Sequence, residues 1–151
     1  MSALDDLLAV MARLRDPAEG CPWDLQQTFA SIVPHTLEEA YEVADAIERD
    51  DREDMRDELG DLLFQVVFYA RLGEEEGSFD LDSIAAGVRD KLIRRHPHVF
   101  GEAGPTTAEG QRVSWEAIKA DERLARPCNL RLRVSAGSAS GTPSSAPGRS
   151  A

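Results

Sequence analysis

Five acids sit inside two segments that otherwise read as core helices: Glu38, Glu39 and Glu42 in "TLEEAYEVADAI", and Glu58 and Asp61 in "DELGDLLFQ". Residues three or four apart lie on one side of an α-helix. Glu38, Glu39 and Glu42 therefore share a side of one helix, and Glu58 and Asp61 share a side of the next. The two helices are joined by only a few residues near Asp50 and Asp51, which forces them antiparallel. Across such a hairpin, pairs whose residue numbers have a constant sum lie at equal height. Glu42 then faces Glu58, and Glu39 faces Asp61, on two levels ~4.5 Å apart at a rise of ~1.5 Å per residue. Carboxylates crowded into one small volume repel unless they take up protons or a cation. An all-oxygen donor set favours Mg²⁺, with Mn²⁺ as a substitute, over Zn²⁺. A di-iron bundle would need Glu-x-x-His on two helices, and His35, His96 and His98 do not have that spacing. Each acid also has an ordinary use: Glu39 as capping partner of Thr36, Glu38 as a favourable charge in a first helical turn, Glu58 as a surface partner of an arginine. Those uses leave the matched heights unexplained.

The elements that must position these acids are helical. "ALDDLLAVMARLRD" places Leu4, Leu7, Leu8, Met11 and Leu14 on one stripe. "GCPWDLQQTFASIVPH" reads as an irregular segment with a short helical turn, closed by Pro34. The helix bearing Glu38, Glu39 and Glu42 is expected from Thr36, with Thr36 and Glu39 as a capping box, to about Arg49. The next is expected from Arg52 to Glu75, with Met55, Leu59, Leu62, Leu63, Val66, Val67 and Ala70 as its core face and Gly77 as its stop. Two more are expected, over about Ser83–Arg95 before Pro97 and over about Thr107–Leu124, the latter with Thr106 and Glu109 as a capping box. No stretch alternates long enough to be a strand. The predicted class is all-α, a four-helix type of bundle.

Composition bounds the rest. With 151 residues, 42% apolar and 30% charged, the chain suits one domain with a real core. A net charge of −11 argues against gripping nucleic acid or an anionic membrane through the overall field. No basic start with an apolar run opens the chain and no window is apolar enough to span a bilayer, so a cytoplasmic protein is expected. Cys21 and Cys128 lack metal or disulfide spacing and read as reduced thiols. All 28 acids fall at or before Glu122, and the residues after it carry five arginines. From Val134 the chain is rich in Ser, Gly, Ala and Pro, which predicts a folded domain over 1–126 and a disordered tail over 127–151.

"GCPWDLQQTF", "TLEEAYEVADAI", "ELGDLLFQVVFYA" and "KLIRRHPHVFG" closely resemble the MazG nucleoside triphosphate pyrophosphohydrolases, in particular the amino-terminal copy of the duplicated bacterial form. The resemblance covers about residues 1–125. The family's EExxE and ExxD elements appear as Glu38-Glu39-Ala40-Tyr41-Glu42 and Glu58-Leu59-Gly60-Asp61, separated by 15 residues. It implies an all-α fold, usually dimeric, that hydrolyses NTPs or dNTPs to the monophosphate and pyrophosphate with Mg²⁺. By that likeness Glu39, Glu42, Glu58 and Asp61 are metal ligands, and Glu38 is a water-orienting base or a group behind them.

Such chemistry also needs cations to receive phosphate charge. Lys91, Arg94 and Arg95 in "DKLIRRHPH" lie within about one helical turn; they read either as a solvated face or, with the resemblance, as triphosphate contacts. Trp115 and Lys119 share a face of the last helix, and the resemblance suggests the ring near the base and the ammonium on phosphate. Trp23 and Asp24 could line the base pocket, and Trp23 could equally be a packing anchor. The two-domain relatives continue past the equivalent of "ERLA" into a second copy, whereas this chain turns into "RPCNLRLRVSAG", so the second module is expected to be absent. Two readings follow: a Mg²⁺-dependent pyrophosphohydrolase broad in base that removes non-standard or surplus nucleotides, or a catalytically weak or inactive helical dimer that binds nucleotide or a protein partner. In both, a second subunit would complete the open side of the acid site.

Overall fold

The computed structural model describes residues 2–125. Among them are seven helices and no strand: α1 (Ala3–Leu14), α2 (Pro22–Gln26), α3 (Phe29–Glu48), α4 (Arg52–Glu76), α5 (Leu81–Arg95), α6 (Pro97–Phe100) and α7 (Ala108–Ala125). The chain divides into two compact units. Met1–Pro105 holds α1 to α6, and a second unit starting at Thr106 holds α7. The expected tail over 127–151, and Cys128 with it, lies outside the described residues. Cys21 is a free thiol.

The helix carrying the first three acids begins earlier than its sequence predicts. Thr28, not Thr36, is its cap: Thr28 Oγ1 accepts from Ser31 N at 3.2 Å, and Ser31 Oγ accepts from Thr28 N at 2.8 Å. Pro34 lies inside α3 and does not close a preceding turn. A proline there removes one N–H, whose acceptor would have been the Ala30 carbonyl, and the flanking turns continue past it. Thr36 is left mid-helix. Its hydroxyl donates to Ile32 O at 3.2 Å and pairs with Tyr69 Oη of α4 at 2.8 Å.

Three residues connect α3 to α4. Asp50 takes a left-handed φ of 55°, and Asp51 Oδ1 accepts from Glu53 N and Asp54 N at 3.1 and 3.0 Å, capping α4. Gly77, with φ 72°, closes the other end of α4 as expected. α5 begins at Leu81, two residues before the expected start near Ser83, because Asp80 and Ser83 form a capping box. At α7 the expected Thr106–Glu109 box is replaced: Thr107 Oγ1 accepts from Gly110 N at 3.1 Å, and Glu109 pairs with Arg112.

The core lies where α1 and the start of α3 meet the second half of α4. Met11, Ile32, Val67, Phe68 and Leu72 are buried together, with Leu7, Leu8, Phe29, Phe64, Tyr69 and Leu81 packed around them. The expected core face of α4 is corrected here. Leu59, Leu63 and Val66 stay exposed, and the buried residues are Gln65, Val67, Phe68, Ala70, Leu72 and Gly73. α4 carries apolar residues around most of its circumference, so periodicity alone cannot choose the buried side. What decides it is α3, which packs along the side holding Glu58, Asp61 and Gln65.

Arg15 ties the amino-terminal segment to this core. It is 9% exposed; its Nε and Nη2 bond Glu75 at 2.9 and 2.6 Å, its Nη1 donates to the Asp24 carbonyl at 2.5 Å, and its guanidinium lies 5.6 Å from the centre of the Phe68 ring. A buried guanidinium needs that many partners, because each unmet donor would cost about 1–3 kcal/mol.

Candidate metal centre

The hairpin register brings three of the five acids together. Glu39 of α3 and Glu58 and Asp61 of α4 each offer a carboxylate oxygen, and all these atoms lie within 4.8 Å of one another. Glu39 and Glu58 are half-buried and Asp61 is exposed, so the group sits at the rim of the α3–α4 seam. Burial raises the Glu39 carboxyl above its ordinary pKa, and the charges of Asp61 and Glu42, a hydrogen bond that its protonated form donates to Glu42, and the charge of Glu58 add to this. Glu58 is raised likewise, first by burial, then by Glu42, Asp54 and Asp61. Glu42 therefore acts on Glu39 along α3 and on Glu58 across the hairpin, the latter at the matched height. The donors are all oxygen, and among the described residues the causes of the raised Glu39 and Glu58 pKa values include no cation, a combination that fits a hard divalent cation.

Glu38 stands apart from this group. It is exposed on α3, 3.8 Å from His35 Nδ1. His35 in turn makes a T-shaped contact with the Trp23 ring at a centroid separation of 5.8 Å, so Trp23, although half-exposed, is fixed against α3 one turn before Glu39. Asp24 is buried beside it, with its carbonyl taken up by Arg15. Lys91, Arg94 and Arg95 follow one another along the last turns of α5, in the same unit as the acids; Arg94 Nη1 donates to the Asp90 carbonyl at 3.4 Å. In the second unit, Trp115 and Lys119 lie on α7, and Lys119 pairs with Glu116 at 3.1 Å.

Two features of the seam were missed from sequence. Gln65 is only 5% exposed and extends the Glu58–Asp61 side of α4 by one more turn, with Oε1 unpaired among the described residues. Asp54, one turn before Glu58, is gripped by Arg49, and its charge reaches Glu58. The four-residue spacings Asp45–Arg49, Asp54–Glu58 and Asp61–Gln65 were the available signals.

The sequence around the carboxylates also matches a known family. Residues 27–100 fit the model of the MazG nucleotide pyrophosphohydrolase domain, which spans both acid-bearing helices. The chain belongs to the MazG family. It is 58% identical over 123 residues to the nucleoside triphosphate pyrophosphohydrolase of Escherichia coli (strain K12), a match covering 82% of this chain and 47% of that protein. It is 44% identical over 119 residues to the nucleoside triphosphate pyrophosphohydrolase/pyrophosphatase MazG of Thermotoga maritima, covering 79% of this chain and 45% of that one. The chain thus spans about half the length of the curated relatives it matches. The crystal structure of a mazG-related protein from Thermotoga maritima superposes with a TM-score of 0.63 at 26% identity, over 77% of this chain and 98% of that one. Membership in this MazG family agrees with the all-α class. Among the described residues no helix is long and apolar enough to cross a membrane.

Proposed function

We propose that this MazG protein is a Mg²⁺-dependent nucleoside triphosphate pyrophosphohydrolase, broad in base, that converts NTPs and dNTPs to the monophosphate and pyrophosphate. The observation that carries this reading is the group formed by Glu39, Glu58 and Asp61 within a MazG domain. Glu39, Glu42, Glu58 and Asp61 would hold the cation. When bound, it offsets their charge and polarises phosphoryl oxygens. Glu38, beside His35 and next to Glu39 in the chain, would orient the water whose oxygen bonds to the α-phosphorus. The bond from that phosphorus to the bridging oxygen then breaks and pyrophosphate leaves. Lys91 and Arg95, with Arg94, would receive the triphosphate charge, which an acidic chain must meet locally. Trp23 and Asp24 would border the base. Aromatic faces accept any base, so a permissive pocket is expected.

A homodimer in the cytoplasm belongs to the same proposal. The outer sides of the hairpin expose Leu37 and Tyr41 on α3 and Leu59 and Leu63 on α4, apolar area of the kind that a second subunit would cover. A light-scattering mass equal to one chain across micromolar concentrations would reject the dimer.

Pyrophosphate release from a panel of NTPs and dNTPs, with Mg²⁺ and with chelator, tests the activity. Metal-dependent formation of monophosphate and pyrophosphate is expected. No turnover, alongside calorimetric binding of Mg²⁺ and nucleotide, would favour a nucleotide-binding module without catalysis.

A further inference from the structure

We infer that Arg49 is a positioning residue for the carboxylate site, holding Asp54 away from the cation that Glu39, Glu58 and Asp61 would share; this rests on the metal-site reading above. Arg49 follows the last residue of α3. Its Nε donates to Asp45 Oδ2 at 2.7 Å, one turn back on α3. Its Nη2 donates to Asp54 Oδ2 in the first turn of α4, and its Nη1 lies 3.5 Å from Asp51 Oδ2. Asp51 is itself the cap of α4. One guanidinium thereby grips the end of α3, the connection and the start of α4.

Asp54 stands four residues before Glu58, on the same side of α4 as Glu58 and Asp61. Released from Arg49, it would add another carboxylate to that side, one turn closer to the connection. A divalent ion would then be drawn more strongly, and toward the connection, away from the point where Glu39 meets Asp61. Fold stability does not account for the clamp. The Arg49 and Asp54 side chains are 48% and 36% exposed, and ion pairs so wetted contribute little to folding. An arginine also suits the task in a way lysine does not, because its planar fork can hold carboxylates from two helices at once.

The test is calorimetric titration of the full chain with Mn²⁺ alone, for wild type, R49Q and R49Q/D54N, with turnover at saturating metal and Tm measured in parallel. R49Q is expected to bind Mn²⁺ on the order of five-fold more tightly, the Coulomb effect of one unit charge on a divalent ion at about 8 Å in a water-like medium. Its turnover is expected to fall about ten-fold through misplacement of the ion. Adding D54N removes the released carboxylate and is expected to return both quantities to wild type. R49Q binding Mn²⁺ no more tightly than wild type, or a double variant that retains the R49Q behaviour, would overturn the assignment. Tighter binding with unchanged turnover would reduce Arg49 to a simple charge and overturn its positioning role. If no protein turned over nucleotide, the activity proposal would fall, and wild-type affinity regained in the double variant would still support the clamp. Absence of Mn²⁺ binding by the wild type would overturn both.

Discussion

Glu39 and Asp61, carried on opposite strokes of one helical hairpin, bring carboxylate oxygens within 4.8 Å of each other and of Glu58. Both levels of the site depend on that register, because Glu42 sits one level nearer the connection and acts on Glu39 and Glu58 together. Replacing Glu42→Gln or Glu58→Gln is expected to lower metal-dependent pyrophosphate release by at least about 10²-fold. Circular dichroism should show the helices intact. In chelator the variants should melt no lower than wild type, since each removes repulsion between acids. Wild-type turnover in both would displace the active site from this cluster.

A second expectation concerns acid stability. Glu75 is held below the ordinary carboxylate pKa of 4.5, first by its hydrogen bond from Arg15 and then, against burial, by that from Arg71. A depressed folded pKa means that the folded state binds its proton less tightly than the unfolded chain. The stabilisation is therefore fully present above about pH 4.5 and is lost as pH falls through the folded value. Glu75→Gln should lower Tm at neutral pH, by an amount equivalent to about 1–3 kcal/mol, and flatten the Tm profile below pH 4.5. A variant whose acid limb is as steep as wild type would show that other carboxylates carry it.

Two glycines of α4 should respond in opposite directions. A Cβ on Gly73 would come within 2.5 Å of the Phe79 ring and 2.7 Å of the Phe79 carbonyl oxygen. Gly73→Ala is expected to destabilise by about 1–3 kcal/mol through overpacking. Gly60, between Glu58 and Asp61, would place its Cβ in open space. Gly60→Ala is expected to stabilise by roughly 0.5–1 kcal/mol from helix propensity. Urea unfolding of both variants checks the pair, and a Gly60→Ala chain less stable than wild type would mean that another chain packs against that turn.

The connection offers a fourth check. Asp50 adopts φ 55°, which a β-branched residue tolerates poorly. Asp50→Val should cost about 1–2 kcal/mol, whereas Asp50→Gly should cost little or nothing. Equal stability of the two variants, measured by denaturant midpoint, would show that the turn relaxes to another conformation.

The spacing of Glu38, Glu39, Glu42, Glu58 and Asp61 was enough to read an antiparallel hairpin with facing carboxylates, because helical geometry and a short connection fix relative height before any packing is known. The all-α class and the Gly77 stop were legible for the same reason: they depend on neighbours in the chain. Other features were not local. Thr36 with Glu39 has the letters of a capping box, yet α3 runs through Pro34 from Thr28, since one lost hydrogen bond is offset by Ile32 and Phe29 packing in the core. The buried side of α4 was misread because Leu59, Leu63 and Val66 are as apolar as Val67 and Phe68, and only contact with α1 and α3 distinguishes them. Tertiary structure likewise decided that Arg15 closes on Glu75, 60 residues away. Sequence determines what a helix can present on each side; which side meets a partner depends on how several such helices bury their apolar area together, and no single segment carries that information.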